Sequence, residues 1–298
     1  MNSLHCKVCG SSNVEVFYNG PIRLGTFGQF SASAHNVYKC QSCKSKFLPS
    51  TIEDISEYYQ SSKYREDVNG DSLVATYHSI HDREQVKNLN ITGLDTYRNK
   101  VVADIGCGGG SFLDSVSGIS KTQVAIEPSG EYRDYLISQG YKTFPYTNDA
   151  LVDYAGGVDV SVSFSVIEHI EDPLTFLGGI YSLLKTGGKI ILSTPNARDA
   201  LLDMLPEDYG RFFYRKVHLW YFDAESLTKV LELAGFKNVK IIPHQRFGLG
   251  NFLGWVKDKK PQGTIDYAFI SEALNINWKY ELERNFQCDY LFAIASKE

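Results

Sequence analysis

Short apolar runs alternate with amphipathic stretches over the middle of the chain. The runs that predict strands lie at 101–105, 123–127, 141–144, 158–164 and 189–193. The stretches whose spacing predicts helices lie between them, at 111–117, 130–139, 147–154 and 173–185. Apolar strands that alternate with helices are typical of an α/β fold with a mostly parallel sheet covered on both faces.

The segments on either side of this alternation add further elements. Apolar spacing predicts a helix over 72–99. Another helix is predicted within 218–236, with Asp223 as its N-cap and Gly235 as the residue that ends it. Two closing strands, "NVKIIP" and "CDYLFAIAS", flank a long insertion at 246–286. We expect the aromatic residues of this insertion to form its own core or a contact within a homodimer.

The same pattern divides the chain into three parts. Residues 1–49 carry two Cys-x-x-Cys pairs in a segment poor in helix signal, which predicts a small module of short strands and turns. Residues 50–99 are predicted to form a linker and N-terminal helices. Residues 100–298 are predicted to form the α/β domain, in which the connection 197–217 is long enough to serve as a lid.

Composition and charge exclude some classes of partner. The chain has 298 residues, of which 43% are hydrophobic and 22% charged, and its formal net charge is −5. This charge argues against a general attraction to nucleic acid or to an anionic membrane, because both require a positive surface. The N-terminal "MNSLHCKVCG" does not have the layout of a signal peptide, and no apolar run approaches the roughly 18–20 residues that span a bilayer. We therefore expect a soluble, cytoplasmic protein without membrane insertion.

A glycine-rich turn follows the first predicted strand of the α/β domain. Asp104 precedes Gly106, Gly108 and Gly110 in the pattern D-x-G-x-G-x-G. Glycines lack a Cβ atom, so a ligand can lie against this backbone, and the N–H groups of the next helix can satisfy negative charge. A second acid, Glu127, ends the next strand, where a carboxylate suits hydrogen bonding to ribose hydroxyls. The pattern predicts a site for a nucleotide cofactor.

Two kinds of cofactor fit such a turn, and the details favour one. The dinucleotide fingerprint needs Gly or Ala where Ser111 stands. An acid just before the turn also suits an ammonium group better than a pyrophosphate. The motifs "DIGCGGG", "AIEPS" and "VDVSVSFSVIEHIEDPLTFLGGIYSLLKTGGKIILSTPN" resemble those of the class I S-adenosylmethionine-dependent methyltransferases, over about residues 55–298. The resemblance implies a Rossmann-like, mostly parallel sheet with an antiparallel last strand, and S-adenosylmethionine as cofactor.

The resemblance also implies which residues bind this cofactor. They are Asp104, Gly106, Cys107, Gly108, Gly110, Glu127, Asn148, Ser163, Phe164, Tyr59 and Tyr64. The glycines line the methionine part, Glu127 holds the ribose, and Asp104 orients the turn or meets the ammonium group. Asn148 or Asp149 lies near the adenine. The tyrosines cover the cofactor or, alternatively, only pack on a helix.

Two histidines are candidates for the catalytic base. His169 follows the fourth strand in "SVIEHIEDP", at the edge of the sheet where ligands bind, and His218 lies in "KVHLWYF" after the predicted lid. Either can instead be a structural residue. "IEHIEDP" also resembles the ubiquinone-pathway O-methyltransferases, in which Glu and His can share a divalent metal with an acid three residues earlier. That position is Ser165 here, and we expect no catalytic metal.

Four cysteines in the N-terminal segment have the spacing of a zinc site. Cys6, Cys9, Cys40 and Cys43 form C-x2-C…C-x2-C, which can close a tetrahedron of thiolates around a structural zinc ion. The alternative is four reduced thiols without metal. The pattern "YKCQSCKSKFLP" resembles the N-terminal module of bacterial methyltransferases that act on sugars and natural products. The fold class is therefore a Rossmann-like methyltransferase domain with a small N-terminal zinc ribbon.

These resemblances lead to an expected acceptor. We expect O- or N-methylation of a saccharide or related small metabolite, such as a nucleotide-sugar precursor of a surface glycan or natural product. The family members that methylate carbon on nucleotide deoxysugars are longer, yet C-methylation stays an alternative. An RNA methyltransferase guided by the zinc module is another. The few basic residues in the cysteine-containing segment make nucleic acid an unfavourable partner.

Overall fold

A computed structural model describes most of the chain. The described residues are 4–25, 28–52, 54–61, 74–265 and 267–298. Tyr64, one of the predicted cofactor contacts, lies outside them. The described residues form two sheets, and helices cover the larger sheet on both faces.

The larger sheet has seven strands. They are β4 (Val101–Ile105), β5 (Thr122–Ile126), β6 (Lys142–Phe144), β7 (Val158–Phe164), β8 (Leu184–Pro195), β10 (Lys237–His244) and β11 (Tyr290–Ser296). Their order across the sheet is β10-β11-β8-β7-β4-β5-β6. The pairs from β6 to β8 are parallel, whereas β11 is antiparallel to both β8 and β10. The sheet confirms the predicted Rossmann-like fold with an antiparallel last strand.

The smaller sheet contains the N-terminal segment and one piece of the α/β domain. It has the order β1 (Val14–Gly20), β2 (His35–Cys40), β3 (Lys46–Phe47) and β9 (Trp220–Tyr221). All three pairs of neighbouring strands are antiparallel. The fourth strand of this sheet therefore comes from a sequence position more than 170 residues after the third.

Helices connect the strands and pack on the larger sheet. They are α1 (Ile55–Gln60), α2 (Val74–Thr92), α3 (Ser111–Val116), α4 (Gly130–Ser138), α5 (Thr147–Tyr154), α6 (Pro173–Leu183), α7 (Ala200–Met204), α8 (Gly210–Phe213), α9 (Ala224–Leu233), α10 (Leu249–Asp258) and α11 (Glu272–Arg284). Single 3₁₀ turns occupy Leu94–Thr96 and Ile167–His169. Within the described ranges, no helix combines the length and the apolar character needed to cross a bilayer.

The predicted helix within 218–236 is confirmed with its N-cap at Asp223. The helix starts at Ala224, and the Asp223 carboxylate caps it by accepting a hydrogen bond from the N–H of Ser226. The residues before it form β9, in which the Trp220 ring lies 5.5 Å from the ring of Phe47. The residues before the cap therefore pair with a strand that is distant in sequence, a contact that the local pattern does not specify. The predicted end is observed, because Gly235 adopts a positive φ of 96°.

The two sheets are joined by polar contacts as well as by β9. The N–H of Leu48 donates to the carbonyl of Leu219 at 2.9 Å. The buried Lys46 ammonium donates to the carbonyl of Ala197 at 3.1 Å and lies 3.8 Å from the Asp223 carboxylate. Burial lowers the pKa of Lys46, and Asp223 opposes this shift. The N-terminal segment is therefore attached to the α/β domain through a buried, hydrogen-bonded surface.

Candidate functional site

A cavity of about 460 Å³ lies at the carboxyl ends of the central strands. This is the edge at which ligands bind in open α/β sheets. The residues that line it are Tyr59, Ser61, Tyr77, His81, Glu84, Gln85, Asp104, Ile105, Gly106, Cys107, Ile126, Glu127, Pro128, Ser129, Pro145, Tyr146, Thr147, Phe164, Ser165, Val166, His169, Ile170, Glu171 and Phe176. We call this space the cofactor cavity.

The glycine-rich turn between β4 and α3 forms one wall of the cavity. Gly106, Gly108 and Gly110 have φ values of 78°, 54° and 88°, a region that residues with a Cβ atom enter only with strain. Other side chains also approach these positions. A Cβ atom on Gly106 would lie 2.5 Å from Val166, and one on Gly108 would lie 2.4 Å from the hydroxyl of Tyr77. The turn therefore requires glycine for its backbone shape and for close packing.

The Glu127 carboxylate fixes the conformation of this turn. Its Oε2 accepts the N–H of Gly108 at 2.8 Å, and its Oε1 accepts the N–H of Ser129 at 3.0 Å. Only 5% of Glu127 is exposed. A carboxylate oxygen has two acceptor positions, so each oxygen retains the capacity for one further hydrogen bond. The same side chain can hold the turn and accept ligand hydroxyls.

Asp104 is a buried acid at the end of β4 and faces the cavity. Burial, together with the neighbouring charge of Glu127, raises its pKa to about 8. The carboxyl group is therefore mostly protonated at neutral pH in the absence of a cation. A bound ammonium group would favour the ionised form, because an opposite charge lowers the pKa of a carboxyl.

Side chains from α1 and α2 cover the cavity. The Tyr77 hydroxyl donates to the carbonyl of Cys107 at 3.2 Å, and the Tyr59 hydroxyl lies 3.0 Å from His169 Nδ1. His81 and Glu84 of α2 also line the cavity, and sequence reasoning missed their position. The spacing of Tyr77, His81 and Glu84 places them on one helix face, and this periodicity is the signal that could have identified them.

Seven of the predicted site residues line the cavity: Asp104, Gly106, Cys107, Glu127, Phe164, Tyr59 and His169. Asn148 is exposed at the start of α5 and does not line the cavity, whereas the two preceding residues, Tyr146 and Thr147, do. Ser163 is fully buried and donates to the carbonyl of Ile105 at 3.0 Å. The predicted residues Gly108, Gly110 and His218 are likewise not among the described residues that line the cavity.

Three buried side chains meet beside the cavity. Glu168, His169 and His218 each offer an oxygen or nitrogen atom within 4.8 Å of the others. The rings of the two histidines lie 4.6 Å apart at 86°. The Glu168 carboxylate accepts the hydroxyl of Thr194 at 3.0 Å, and burial raises its pKa to about 7. Sequence analysis did not predict that His218 joins Glu168 and His169, because almost fifty residues separate them.

The hydrogen bonds of both rings define their tautomers. His169 Nδ1 lies 2.9 Å from the carbonyl of Val217, which can only accept, so Nδ1 carries the proton and Nε2 carries the lone pair. His218 Nε2 lies 3.3 Å from Arg215 Nη1, which can only donate. Burial, and then the charge of Arg215, lower the pKa of His218 well below its usual range. The lowered pKa of His218 keeps its ring neutral near neutral pH.

This cluster has donor atoms that a metal ion could use, but its surroundings disfavour a cation. The lone pair of His218 Nε2 accepts from Arg215, so a metal would have to compete with a guanidinium for that nitrogen. The positive charge of Arg215, 3.3 Å from His218 Nε2, would also repel a metal ion bound at that nitrogen. The donor set therefore suits proton transfer and orientation better than metal binding.

The four N-terminal cysteines lie together at one end of the smaller sheet. Their sulfur atoms are all within 4.8 Å of one another. The Sγ atoms of Cys6 and Cys43 are 3.5 Å apart, and those of Cys9 and Cys40 are 3.4 Å apart. The hydrogen bond between Cys6 and Cys43 lowers the pKa of Cys43 to about 4. Four sulfur donors at these separations have the composition of a structural zinc site.

The part of the chain that forms most of the larger sheet is similar to known proteins. A family profile described as "Methyltransferase domain" matches residues 79–241, more than half of the chain. The ubiquinone biosynthesis O-methyltransferase of Thiobacillus denitrificans is 30% identical over 138 residues, which cover 42% of this chain and 59% of that protein. The mitochondrial enzyme of the same name from Mus musculus is 25% identical over 182 residues, 55% of this chain and 46% of that protein. This chain thus matches only about half of the length of these relatives.

Solved structures share the fold of the larger unit. A SAM-dependent methyltransferase from Archaeoglobus fulgidus has a TM-score of 0.51 at 20% identity, and the match covers 74% of this chain and 99% of that one. Phosphoethanolamine N-methyltransferase 2 of Haemonchus contortus, in complex with S-adenosyl-L-methionine, has a TM-score of 0.51 at 15% identity. That match covers 84% of this chain and 61% of that one. At these identities the likeness concerns the fold.

The packing of the glycine turn makes a prediction about stability. Gly106→Ala adds a Cβ atom at positive φ and at 2.5 Å from Val166, whereas Gly140→Ala adds one at a φ of 87° in open space. Urea unfolding should show a loss of about 1–2 kcal/mol for the Gly140 variant from backbone strain alone. The Gly106 variant should lose about 1–3 kcal/mol more from overpacking. Equal losses in the two variants would contradict the close packing described for the turn.

Proposed function

The chain belongs to the methyltransferase-domain family, and from this we propose that it transfers the methyl group of S-adenosylmethionine to an oxygen atom of a small-molecule acceptor. The observation that carries the proposal is the glycine turn held by Glu127 beside the buried Asp104. This arrangement offers hydroxyl acceptors and one potential negative charge at the carboxyl edge of the sheet. A nucleoside with an amino-acid ammonium group satisfies both.

We assign the parts of the cofactor as follows. Glu127 accepts the ribose hydroxyls, and the ionised Asp104 faces the ammonium group. Gly106 and Cys107 lie along the methionine chain, with Gly108 and Gly110 supporting the turn from behind. Tyr146 and Thr147 replace Asn148 as the side chains nearest the adenine, because they line the cavity and Asn148 does not.

The sulfonium end of the cofactor is assigned to the opposite side of the cavity. Phe164 at the end of β7 lies there, and Tyr59 covers it from α1. Ser163 supports this strand end through its hydrogen bond to the carbonyl of Ile105. Tyr64 lies outside the described residues, and we propose that it also covers the cofactor. The methyl group would then point toward His169.

The reaction is an in-line displacement at the methyl carbon. The acceptor oxygen forms a bond to this carbon as the bond to the sulfonium sulfur breaks, and S-adenosylhomocysteine leaves. Positioning of the two reactants supplies much of the acceleration, because a bimolecular step becomes unimolecular. We assign the acceptor proton to Nε2 of His169, whose lone pair follows from the bond of Nδ1 to Val217. His218 packs against His169 and acts as its positioning residue.

Two acceptor classes are candidates. The N-terminal pattern "YKCQSCKSKFLP" supports a saccharide or nucleotide-sugar precursor, which we place first. The names of the curated relatives support an oxygen acceptor and, as a second candidate, the phenolic hydroxyl of a quinone precursor. The two classes are distinguished by incubating the protein with S-adenosylmethionine and either nucleotide sugars or phenolic quinone precursors. Mass spectrometry then shows which compound gains about 14 mass units, the difference between a methyl group and the hydrogen that it replaces.

We further propose that the cysteine cluster binds one structural zinc ion. Four thiolates close the tetrahedron and leave no position for a substrate. The segment is small and forms only short strands, so metal binding would supply part of its folding free energy. In this proposal residues 1–49 form a zinc module, residues 50–99 cover the cofactor, and the remainder forms the methyltransferase domain with its lid and insertion.

Cofactor binding should depend on pH through Asp104. The ammonium group of S-adenosylhomocysteine needs the ionised acid, whose pKa in the free protein is raised to about 8. Affinity measured by calorimetry should therefore weaken as pH falls from 8 to 6, by at most about tenfold per unit. Asp104→Asn should remove this dependence, whereas Asp134→Asn on the surface of α4 should keep it. An unchanged pH dependence in the Asp104→Asn variant would contradict the role of Asp104, and a wild-type protein that binds no cofactor would contradict the proposed function.

The assignment of the base makes a separate prediction. His169→Gln should lower kcat by about 10²–10⁴-fold, because the acceptor proton loses its general base. S-adenosylhomocysteine affinity should stay within about threefold of wild type. His35→Gln, in the smaller sheet, is the matched control and should retain kcat. A His169 variant with full kcat would show that another group accepts the proton.

Metal analysis tests the zinc module. The purified full chain should contain about one zinc ion, and Cys43→Ser should lose most of it together with thermal stability. Cys288→Ser changes a cysteine that is equally buried but lies outside the cluster, and it should retain the metal. Equal metal content in the two variants, or none in the wild type, would contradict the proposal.

A further inference from the structure

Two arginines from distant parts of the chain lie side by side next to the histidines. Arg23 belongs to the N-terminal segment and Arg215 to the predicted lid, and they form a parallel bridge. The N–H of Arg23 donates to the carbonyl of Tyr214 at 2.9 Å, and the N–H of Lys216 donates to the carbonyl of Arg23 at 2.8 Å. Backbone hydrogen bonds therefore hold the two residues, which we call the arginine pair, in fixed proximity.

The arginine pair carries two positive charges without a counter-charge. In the described part of the chain, no carboxylate lies within 4.0 Å of either guanidinium, whereas Arg211 pairs with Asp208 at 3.2 Å. The Nε atom of Arg23 is buried and has no hydrogen-bond partner among these residues. The guanidinium of Arg23 also lies 4.3 Å from the centre of the Phe212 ring. A buried donor without a partner is costly, and a ligand oxygen at Arg23 would offset that cost.

The charges of the two arginines affect each other and the adjacent groups. Burial, and then the charge of Arg215, lower the pKa of Arg23 to about 9. In addition to burial, the charges of both arginines lower the pKa of His218. Of the acids on this side of the cavity, Glu168 is buried and already accepts from Thr194, and Glu171 pairs with Lys7 at 2.6 Å. The local field is therefore positive and favours an anion.

The arginine pair does not line the cavity, but it is connected to the cavity wall through the two histidines. Arg215 Nη1 is 3.3 Å from His218 Nε2, and His218 packs at 4.6 Å on His169, which lines the cavity. Arg23 and Arg215 are each only half-buried, so the outer side of the pair can admit a ligand. To reach the arginines, an acceptor with its hydroxyl at His169 would have to extend past His218.

Resting on the proposed function, we propose that Arg23 and Arg215 bind a phosphate group of the methyl acceptor. Guanidinium groups match phosphate oxygens with paired hydrogen bonds. Two positive charges without an acidic partner suit a group that carries close to two negative charges, such as a phosphate monoester or a diphosphate, better than a single carboxylate. Arg23 would make the N-terminal module part of the acceptor site.

Binding of inorganic pyrophosphate to the full chain tests this inference. Calorimetry is carried out on protein saturated with S-adenosylhomocysteine, at constant ionic strength. Arg215→Gln and Arg23→Gln should each weaken pyrophosphate binding by about tenfold or more, since each removes charged hydrogen bonds. Arg215→Lys should keep part of the affinity because it keeps the charge. Arg98→Gln, in which the altered arginine is exposed and lies 3.7 Å from the Asp95 carboxylate, is the matched control and should bind as wild type does.

The same titration separates this inference from the proposed function. Retained affinity for S-adenosylhomocysteine shows that each variant is folded and that its cofactor site is intact. Pyrophosphate binding that is absent in the wild type, or equal in both Gln variants and the wild type, would overturn the role of the arginine pair and leave the proposed function in place. Failure to bind the cofactor would instead overturn the proposed function.

A second arm identifies the source of the phosphate. Pyrophosphate should compete with a nucleotide-sugar acceptor in the methyl-transfer assay and raise its apparent KM without changing kcat. The Arg215→Gln variant should raise the KM of that acceptor by about tenfold and should lose the inhibition by pyrophosphate. Pyrophosphate that binds without inhibiting would show that the site holds free phosphate, and the inference about the acceptor would be wrong.

Discussion

Two hydrogen bonds to one carboxylate hold the site together. Glu127 accepts the N–H of Gly108 and the N–H of Ser129, and so it fixes the turn after β4 relative to the end of β5. Because the turn is fixed, Tyr77 can pack directly on the glycines and bring α2 over the cavity. Loss of this carboxylate would remove both the turn and the surface on which α2 rests.

Acidic and basic side chains are separated around the cavity, and this separation would orient a ligand that carries charge. Asp104 and Glu127 lie buried at the end where a cation would be stabilised. On the other side, Arg23 and Arg215 surround a neutral His218. Burial of charges of both signs is costly for the empty protein. A cationic cofactor and an anionic acceptor would each offset part of that cost at its own end.

The sequence predicted the features that depend on local pattern. Apolar runs located the strands, and the spacing of Asp104 and the glycines located the turn, because backbone shape there requires glycine. Contacts between distant segments could not be predicted. The pattern located the cap at Asp223, but it did not indicate that Trp220–Tyr221 pairs with Lys46–Phe47, more than 170 residues earlier in the chain. His218 joins Glu168 and His169 only through the folded lid connection. Asn148 proved exposed because α5 turns it outward at its first turn, which a motif alone does not specify.

The two-residue strand β9 has a consequence for any attempt to divide the protein. Trp220–Tyr221 completes the smaller sheet, and Asp223, two residues later, caps a helix of the larger one. Excision of the first fifty residues would leave this strand as an unpaired sheet edge with Trp220 and Phe222 uncovered, the kind of surface that promotes aggregation. The N-terminal part therefore cannot be exchanged alone for the corresponding part of another protein. A replacement would need a strand that pairs with Trp220–Tyr221.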